Sequence, residues 1–552
     1  MSGTLTKILV GGISVTPDAD ERDILNKAKD KMKRAGISVS TLHFRLYKKS
    51  VDARRRNDVR LICTVLCESE VPKDSYSAPK LAAADARILT EEPLTPTRGE
   101  ESLGARPLVV GMGPAGLFAA LLLARNGYAP ILIDRGASVE ERVRDVERFR
   151  DTGVLDTESN IQFGAGGAGT FSDGKLVTRI NDSRCGFVLQ TLCEFGAPAD
   201  ITVKAKPHVG TDRLRGVVSA MLAEIERLGG SVRYRCRMDD FERLSDGTLR
   251  VTTSCGEIHA GALILAVGHS ARDTYLRLLE KQLAIEPKPI SVGVRAEHLQ
   301  SEIDTALYGS FAGHPNLGHA EYALSETKSG RGVYTFCMCP GGEVVAAASE
   351  EGGLVVNGMS NYARDGRNAN AAVLVSVGCE DFEAVNGSLA LGAIAFQRRI
   401  EQAAFRLGGG DYFAPMMTVG DLLGGKQGSS PTRVLPTYRN GRVRPADFDG
   451  LFPKFVTEGL CRGLRSFGRK IAGYDAPDTV LTAAETRTSA PLRILRVPET
   501  MTAIGQDRIY PAGEGAGYAG GITSAAVDGV RVAMALMERF APLGGTANEV
   551  KE

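Results

Sequence analysis

The sequence predicts an α/β protein, because three apolar strands each lead into a turn that contains glycine. The strands are Leu108-Val109-Val110, Ala262 to Val267, and the segment ending at Tyr510-Pro511. Helix-forming segments follow the first and third turns. Each pattern alone is a moderate signal, and their order along 552 residues makes the prediction strong.

The first turn predicts a dinucleotide cradle in a Rossmann-like domain. The pattern is strand, Gly-x-Gly-x-x-Gly and then a helix from Leu117 to Arg125. Gly113 has no Cβ, so its backbone can approach a pyrophosphate, while the helix presents unpaired N–H groups and a positive dipole end. Chance packing of glycines is the alternative. The predicted contacts of this turn are Gly111, Gly113, Pro114, Ala115 and Gly116.

An acidic residue follows the next predicted strand. Ile131-Leu132-Ile133 ends at Asp134, which stands 23 residues after Gly111. A carboxylate there is placed to accept hydrogen bonds from ribose hydroxyls. We assign Asp134 and the adjacent Arg135 to the same cofactor site.

The third turn indicates which dinucleotide is bound. Residues 510–523 resemble the C-terminal FAD motif of the glutathione-reductase-like flavoprotein superfamily. The resemblance implies that Gly513 and Glu514 meet the ribityl and phosphate region, and that the amides of Gly521, Ile522 and Thr523 face the flavin. A glycine-rich turn without a ligand is the alternative. The mid-chain strand resembles another superfamily element, which implies FAD contacts at Ala266 and Gly268.

A glycine-rich stretch lies between these motifs. Residues 164–169 contain four glycines, which is unusual inside a helix or strand. In related flavoproteins a loop here runs beside the flavin, so Gly166 and Gly167 become predicted contacts, with a plain loop as the alternative. Lys175 could place a positive charge near the ring. A surface lysine is an equal alternative.

Composition bounds the class of protein. The chain is 43% hydrophobic and 24% charged, which is ordinary for a globular protein. Its apolar run at Leu117 to Ala124 is too short for a membrane span, and the N-terminus lacks a signal-peptide pattern, so we expect a cytoplasmic protein. Ten cysteines without a CxxC pair argue against a zinc ribbon, a dithiol reductase and a disulfide framework. No metal site is predicted, and Cys337 and Cys339 are interpreted as buried hydrophobes rather than soft-metal ligands.

The first 90 residues predict a separate basic module. Their Lys, Arg, Asp and Glu side chains give a net charge of +6, against −5 for the rest. Their strand-helix-strand-strand pattern fits part of a ferredoxin-like sandwich. Residues 47–60 could bind RNA, although a solvated hairpin is favoured because aromatic side chains are few. Residues 89–105, with Pro93 and Pro96, predict a linker.

Further runs make the resemblance extend over nearly the whole chain. Residues 206–212, 334–342 and 485–491 resemble a bacterial family of uncharacterised FAD-dependent dehydrogenases. The resemblance implies FAD and leaves the substrate, electron partners and oligomeric state open. With no second dinucleotide motif, NAD(P)H is a donor that would bind transiently, if at all. The predicted units are the βαββ module (1–90), two FAD-binding segments (106–285 and 481–541) and an inserted mixed α+β substrate domain (286–480).

Three side chains are the catalytic candidates. His208 is preferred over His269 as a proton donor, with a structural histidine as the alternative. Arg487 could clamp a carboxylate or phosphate, or form a buried ion pair with Glu485. Lys175 completes the set. The functional hypotheses are a small-molecule flavoenzyme, a flavoenzyme acting on RNA through residues 47–60, and a non-catalytic FAD-binding redox or interaction protein.

Overall fold

The protein is described by a computed structural model that covers residues 5–90, 94–328 and 330–543. The first four residues of the predicted N-terminal module and Pro93 of the predicted linker lie outside the described residues. The fold is mixed α/β, with three main sheets.

The N-terminal module is a four-stranded antiparallel sheet with two helices. Its elements are β1 (Thr6–Val15), α1 (Glu21–Arg34), β2 (His43–Asp52), β3 (Arg60–Ser69), α2 (Ala78–Ala83) and β4 (Ala86–Ile88). The strand order is β2-β3-β1-β4. Asp20 caps α1 with a capping box shared with Asp23, which explains where the helix begins. The second helix and β4 extend the predicted βαββ pattern.

The next unit contains the three glycine-containing turns. Its elements before the insertion are β5 (Glu101–Ser102), β6 (Leu108–Val110), α3 (Pro114–Arg125), β7 (Ile131–Ile133), α4 (Val139–Thr152), α5 (Arg184–Glu194), α6 (Thr211–Arg227), β8 (Ser231–Arg233), β9 (Met238–Arg243), β10 (Leu249–Thr253), β11 (Gly256–Ala260), β12 (Leu263–Leu265) and α7 (Arg272–Glu280).

The inserted unit follows. Its elements are β13 (Ile285–Pro287), β14 (Ile290–Leu299), α8 (Gln300–Tyr308), β15 (Ser325–Glu326), β16 (Val333–Cys339), β17 (Glu343–Ala346), β18 (Val356–Met359), β19 (Asn368–Val377), α9 (Leu389–Leu407), β20 (Ala414–Thr418), α10 (Val419–Gly424), β21 (Val443–Pro445), α11 (Lys454–Gly468) and β22 (Val480–Glu485). The chain then returns through β23 (Leu492–Ile494), β24 (Ile509–Pro511), α12 (Ile522–Arg539) and β25 (Phe540–Ala541).

A parallel sheet joins distant parts of the chain. Its order is β24-β12-β6-β7-β8, and each neighbouring pair is parallel. In four of its five strands, β24, β12, β6 and β7, every residue is buried, as expected for a sheet covered on both faces. Helices α3 and α12 pack closely against each other. Gly529 permits this approach, since a Cβ at that position would lie 2.0 Å from the Ala115 carbonyl oxygen.

The inserted unit is built on a seven-stranded sheet in the order β15-β16-β19-β14-β22-β20-β21. Strand β22 is central to this sheet, so the sheet extends beyond residue 480, where the sequence analysis ended the inserted domain. The stretch predicted as a linker is also attached to its surroundings. Gly99 donates to Met537, and β5 pairs with β25. Among the described residues no helix is long and apolar enough to cross a membrane.

Candidate functional site

A cavity of about 320 Å³ lies beyond the carboxyl ends of the parallel strands. Val110 at the end of β6, Ala266 after β12 and Ala512 after β24 all line it. The carboxyl edge of an open parallel sheet is where such folds bind ligands, because the loops that follow the strands converge there.

Most of the predicted site residues meet at this cavity. Those that line it are Gly111, Gly113, Pro114, Ala115, Asp134, Arg135, Gly167, Lys175, Ala266, Gly268, Arg487, Glu514, Gly521 and Ile522. The residues bounding it do not include Gly116, Gly166, Gly513, Thr523 or His208. Gly166 is nevertheless tied to the first turn, since its amide donates to the Met112 carbonyl at 2.9 Å.

Two glycines of the cavity wall, Gly113 and Gly167, lie close to each other. Gly113 has φ −71°, which any residue adopts, and a Cβ there would meet only Gly167 Cα, at 3.8 Å. Gly167 has φ +65°, and its Cβ would lie 2.8 Å from Gly113 Cα. A side chain at Gly113 would therefore occupy cavity space without disturbing the fold, so this is a cradle that a Cβ would fill.

The N-termini of two long helices open onto the cavity. Gly113 is the N-cap of α3, Gly521 is the N-cap of α12, and neither helix has a side-chain cap. Both N-cap residues line the cavity. First-turn N–H groups lack intrahelical partners and carry a partial positive charge, so both ends suit an anionic or electron-rich ligand. A dinucleotide with a pyrophosphate fits this donor set.

Two acids line the cavity in different environments. Asp134 accepts hydrogen bonds from the amides of Met112 and Gly136, each at 2.8 Å, which fixes its carboxylate beside the first turn. Lone pairs on both oxygens remain for a ribose hydroxyl. Glu514 is partly buried, and this burial raises the pKa of its carboxyl to about 7 against the opposing charge of Lys288.

Buried residues far away in sequence hold these loops. The Asp528 carboxylate accepts from the Gly513 amide at 2.7 Å and from Arg496 at 2.6 Å. The Tyr275 hydroxyl donates towards the carbonyls of Gly268 and Gly515 at 2.9 and 2.8 Å. Sequence reasoning missed these residues because nothing local distinguishes them.

Arg142 holds the glycine-rich loop and was also missed. It is fully buried on α4. Its guanidinium donates to four carbonyls at distances of 2.7 to 3.2 Å, those of Asn160, Ile161, Gly164 and Ala165. The loop backbone is thereby fixed beside the cavity. The only signal available from sequence was an arginine on the side of the helix that carries Val139 and Phe149.

Arg487 lies in a buried ion network. Its guanidinium donates to both oxygens of Glu401, at 3.0 and 3.1 Å, and to Ser349 Oγ. The guanidinium of Arg272 donates a hydrogen bond of 2.8 Å to each oxygen of the same carboxylate. The predicted alternative was an ion pair with Glu485, but Glu485 pairs with Arg295 at 2.6 Å. The fork of Arg487 is occupied by protein groups, and burial lowers its pKa against the charge of Glu401.

The two candidate histidines occupy different places. The His208 ring stacks on Tyr362 with centroids 5.3 Å apart, and its Nε2 lies 3.1 Å from the Tyr362 carbonyl oxygen. His269 lines the cavity, and its Nδ1 lies 3.0 Å from Ser270 Oγ. Burial, reinforced by the charges of Arg487 and Arg272, lowers the pKa of His269 to about 4. The preference for His208 therefore does not match the geometry, because its ring faces Tyr362.

Lys175 stands on the cavity wall beside Asp173. Its Nζ lies 3.4 Å from Asp173 Oδ2 and makes no hydrogen bond with the described residues. Burial lowers the pKa of Lys175, but the charges of Asp173, Cys339 and Cys337 outweigh it and raise the pKa overall. Asp173 itself is fully buried and bonds to Arg364 and Ser360. Lys175 is thus a charged wall residue rather than a surface lysine.

The basic stretch at residues 47–60 lies outside this cavity. Arg54 forms an ion pair with Asp52, and Arg60 with Asp58 at 2.8 Å. The backbone of Lys49 makes two hydrogen bonds with residues 203–205: its amide donates to the Val203 carbonyl, and its carbonyl accepts from the Ala205 amide. These pairs reduce the charge available to a polyanion, and nucleic-acid binding stays a prediction. Within the described residues no group of three or more His, Cys, Asp or Glu side chains could hold a metal ion.

Comparisons with known proteins point to a flavoprotein. A family model described as "FAD-dependent protein, C-terminal domain-like" matches residues 289–488, and a domain of unknown function matches residues 10–68. The FAD complex of CtdE shares 10% identity over 79% of this chain and 86% of its own, at a TM-score of 0.30. NikD, an unusual amino acid oxidase, shares 12% over 79% and 95%, at a TM-score of 0.33. Both TM-scores are too low to establish that these proteins share the fold of this chain.

A relative covers almost the whole chain. A protein of Clostridium beijerinckii, described as uncharacterized, is 45% identical over 539 residues, which is 97% of this chain and 99% of the relative. The chain therefore belongs to one family with the C. beijerinckii protein, and its residues 289–488 are similar to the C-terminal domain of FAD-dependent proteins.

Proposed function

We propose that this protein is an FAD-dependent oxidoreductase of the dehydrogenase type, which oxidises or reduces a small molecule. The observation that carries the proposal is one cavity bounded both by two uncapped helix N-termini and by the ionisable side chains of His269, Lys175 and Glu514. FAD supplies hydride transfer when bound. The residues of the chain bind it, orient the substrate and handle protons.

The parallel sheet and its helices support a Rossmann-like FAD-binding domain. We assign it to residues 106–285 and the return of the chain after the inserted sheet, with 289–488 as the inserted domain. The α3 N-terminus at Gly113 would hold the pyrophosphate, Asp134 a ribose and Glu514 the ribityl and phosphate region. The α12 N-terminus at Gly521 would face the flavin and stabilise negative charge on it.

The substrate would enter through a second cavity. It adjoins the first one and shares Phe336, Thr488 and Gly520 with it. Phe336 is 40% exposed although it is a large apolar side chain. An exposed aromatic residue shared by two adjoining cavities suits contact with the apolar part of a ligand. A small organic molecule is therefore the proposed substrate class.

His269 replaces His208 as the proposed proton-handling residue. Its lowered pKa keeps the imidazole neutral at physiological pH, so the ring can accept one hydrogen bond and donate another. Ser270, within hydrogen-bonding distance of Nδ1, fixes the ring orientation. Arg487 is proposed to position the groups around the cavity rather than to bind substrate, because its guanidinium donates to Glu401 and Ser349.

The test is anaerobic mixing of the FAD-loaded protein with NADH, NADPH and a panel of metabolites while flavin absorbance is followed. We expect at least one compound to bleach the flavin. Bound FAD that no compound in the panel bleaches would contradict the proposal and favour a non-catalytic FAD-binding protein.

A matched pair of variants tests the assignment of the histidine. With a donor that bleaches the flavin, His269→Gln should slow the reaction roughly 100-fold or more, the lower end for loss of a proton-transfer group. His208→Gln, whose ring faces Tyr362, should keep a rate close to that of the parent. Equal rates for both variants would remove His269 from the proposed site.

A further inference from the structure

The strand β16 carries two thiols at an irregular point. Its pairing with β19 shifts register between Phe336 and Cys339, and Cys337 has φ +44°. The left-handed region is uncommon for residues other than glycine and costs free energy, so it is typical of functional sites. Here it brings Cys337 Sγ and Cys339 Sγ to 4.0 Å.

One member of the thiol pair, Cys337, faces the cofactor cavity. Cys337 lines that cavity together with Lys175 and Asn357. Cys339 Sγ also lies 3.3 Å from the Cys337 carbonyl oxygen. Cys337 therefore lies on the wall of the site proposed for FAD, and the fully buried Cys339 sulfur lies 4.0 Å from the Cys337 sulfur.

Cations surround the pair. Arg295, fully buried on β14, donates to the Cys337 carbonyl at 2.9 Å and lies 4.0 Å from Cys339 Sγ. Lys175 approaches from the glycine-rich loop. The charged groups facing the pair are thus these two cations and two carboxylates, Asp173 beside Lys175 and Glu485 beside Arg295.

This environment distinguishes Cys337 from other cysteines of the chain. The hydrogen bond from Cys339, with the charges of Arg295 and Lys175, lowers the pKa of the Cys337 thiol well below its usual range despite burial. By contrast, burial raises the pKa of Cys236, which also lines the cavity. A thiolate hydrogen-bonded to a second thiol is the arrangement from which thiol–disulfide chemistry starts.

We propose that Cys337 and Cys339 form a reversible disulfide that exchanges two electrons with FAD bound in this cavity. The electron partner rests on the function proposed above. Oxidation breaks two S–H bonds and forms one S–S bond. The two electrons and two protons released pass to the oxidised isoalloxazine ring, and reduction of the disulfide reverses each change. The protein thus holds a second two-electron site beside the flavin.

A reductive titration counts the electrons. The FAD-loaded protein, first oxidised in air, is titrated with dithionite under argon. It should consume roughly two molecules of dithionite per flavin, since the disulfide and the flavin each take two electrons. Cys337→Ser and Cys339→Ser should each consume about one. The control Cys461→Ser, a half-buried thiol outside the cavity, should match the parent.

Peptide mapping decides the same point without the flavin. Protein stripped of FAD is oxidised with diamide, alkylated and digested, and the peptide containing both cysteines should lose two hydrogens in mass. Half-buried Cys461, which lies outside the cavity, should be alkylated instead. If this peptide stays fully alkylated, or if the parent consumes only one dithionite per flavin, the proposal is overturned. Disulfide formation in a protein that never binds FAD would overturn only the proposed electron partner.

Discussion

Arg142 offers the sharpest test of how the cavity wall is built. Replacement by Met keeps the length and apolar stem of the side chain and removes the guanidinium that donates to four loop carbonyls. It also removes the contact with the Phe171 ring, 4.7 Å from the guanidinium carbon. We expect Arg142→Met to destabilise the protein and to reduce FAD retention.

The magnitude follows from two opposing terms. A hydrogen bond from a charged donor contributes about 1.5 to 3 kcal/mol, so four contribute roughly 6 to 12 kcal/mol. Removing the buried charge returns part of this. Burial lowers the pKa of Arg142 to about 9, several units below that of a free arginine, which corresponds to on the order of 5 kcal/mol. Subtracting this cost from the hydrogen-bond contribution leaves a net loss of unfolding free energy between about 1 and about 7 kcal/mol, and we take about 4 kcal/mol as the expected value.

Chemical denaturation and FAD content measure this prediction. Arg148→Met is the matched control, since Arg148 lies on the same helix with a side chain 50% exposed and an ion pair to Asp145. It should change the unfolding free energy by less than about 0.5 kcal/mol. An Arg142→Met protein that loses less than about 1 kcal/mol and keeps its FAD would refute the reasoning.

Three further predictions concern other parts of the molecule. Arg487→Lys should lower the unfolding free energy by on the order of 1.5 to 3 kcal/mol in denaturant titrations, because Lys cannot keep both contacts to Glu401; an unchanged value would contradict this. His298 is buried and its pKa is lowered to about 4, so the unfolded state binds a proton that the folded state does not between pH 6.5 and 4. The parent should therefore lose on the order of 3 kcal/mol more than His298→Gln as pH falls through this window, and parallel curves would exclude the effect. Deleting residues 1–90 should leave a chain that binds FAD, because every described cavity residue is numbered 110 or higher; a colourless truncated protein would show otherwise.

Local signals allowed the cofactor side of the site to be predicted. Strand β6, the first turn and α3 are contiguous, so hydrophobic periodicity and glycine spacing describe them within a few residues. The same holds for β24 and α12. Strand β4 was not predicted because it has only three residues, none of them fully buried.

Long-range contacts could not be predicted from these signals. Glu401 lies 86 residues from Arg487 and 129 from Arg272, and no periodicity links them. His208 and His269 both follow motif-like segments, yet only the packing of Tyr362 against His208 decides which ring reaches the cavity. The cysteines at 337 and 339 were interpreted as core residues because an irregular strand cannot be read from an apolar sequence.

The most direct test of the account is the FAD content of Gly113→Val. The backbone at Gly113 accepts a side chain, and a Cβ there meets no atom closer than 3.8 Å, so the variant should fold. The control is Gly186→Val, since Gly186 is exposed on α5 with no atom within 4 Å of its Cβ position. The visible absorbance spectrum of each purified protein gives the FAD bound per chain, and circular dichroism checks the fold. The account predicts about one FAD per chain in the parent and in Gly186→Val, and a folded, colourless Gly113→Val. A folded Gly113→Val that retains the FAD content of the parent would contradict it.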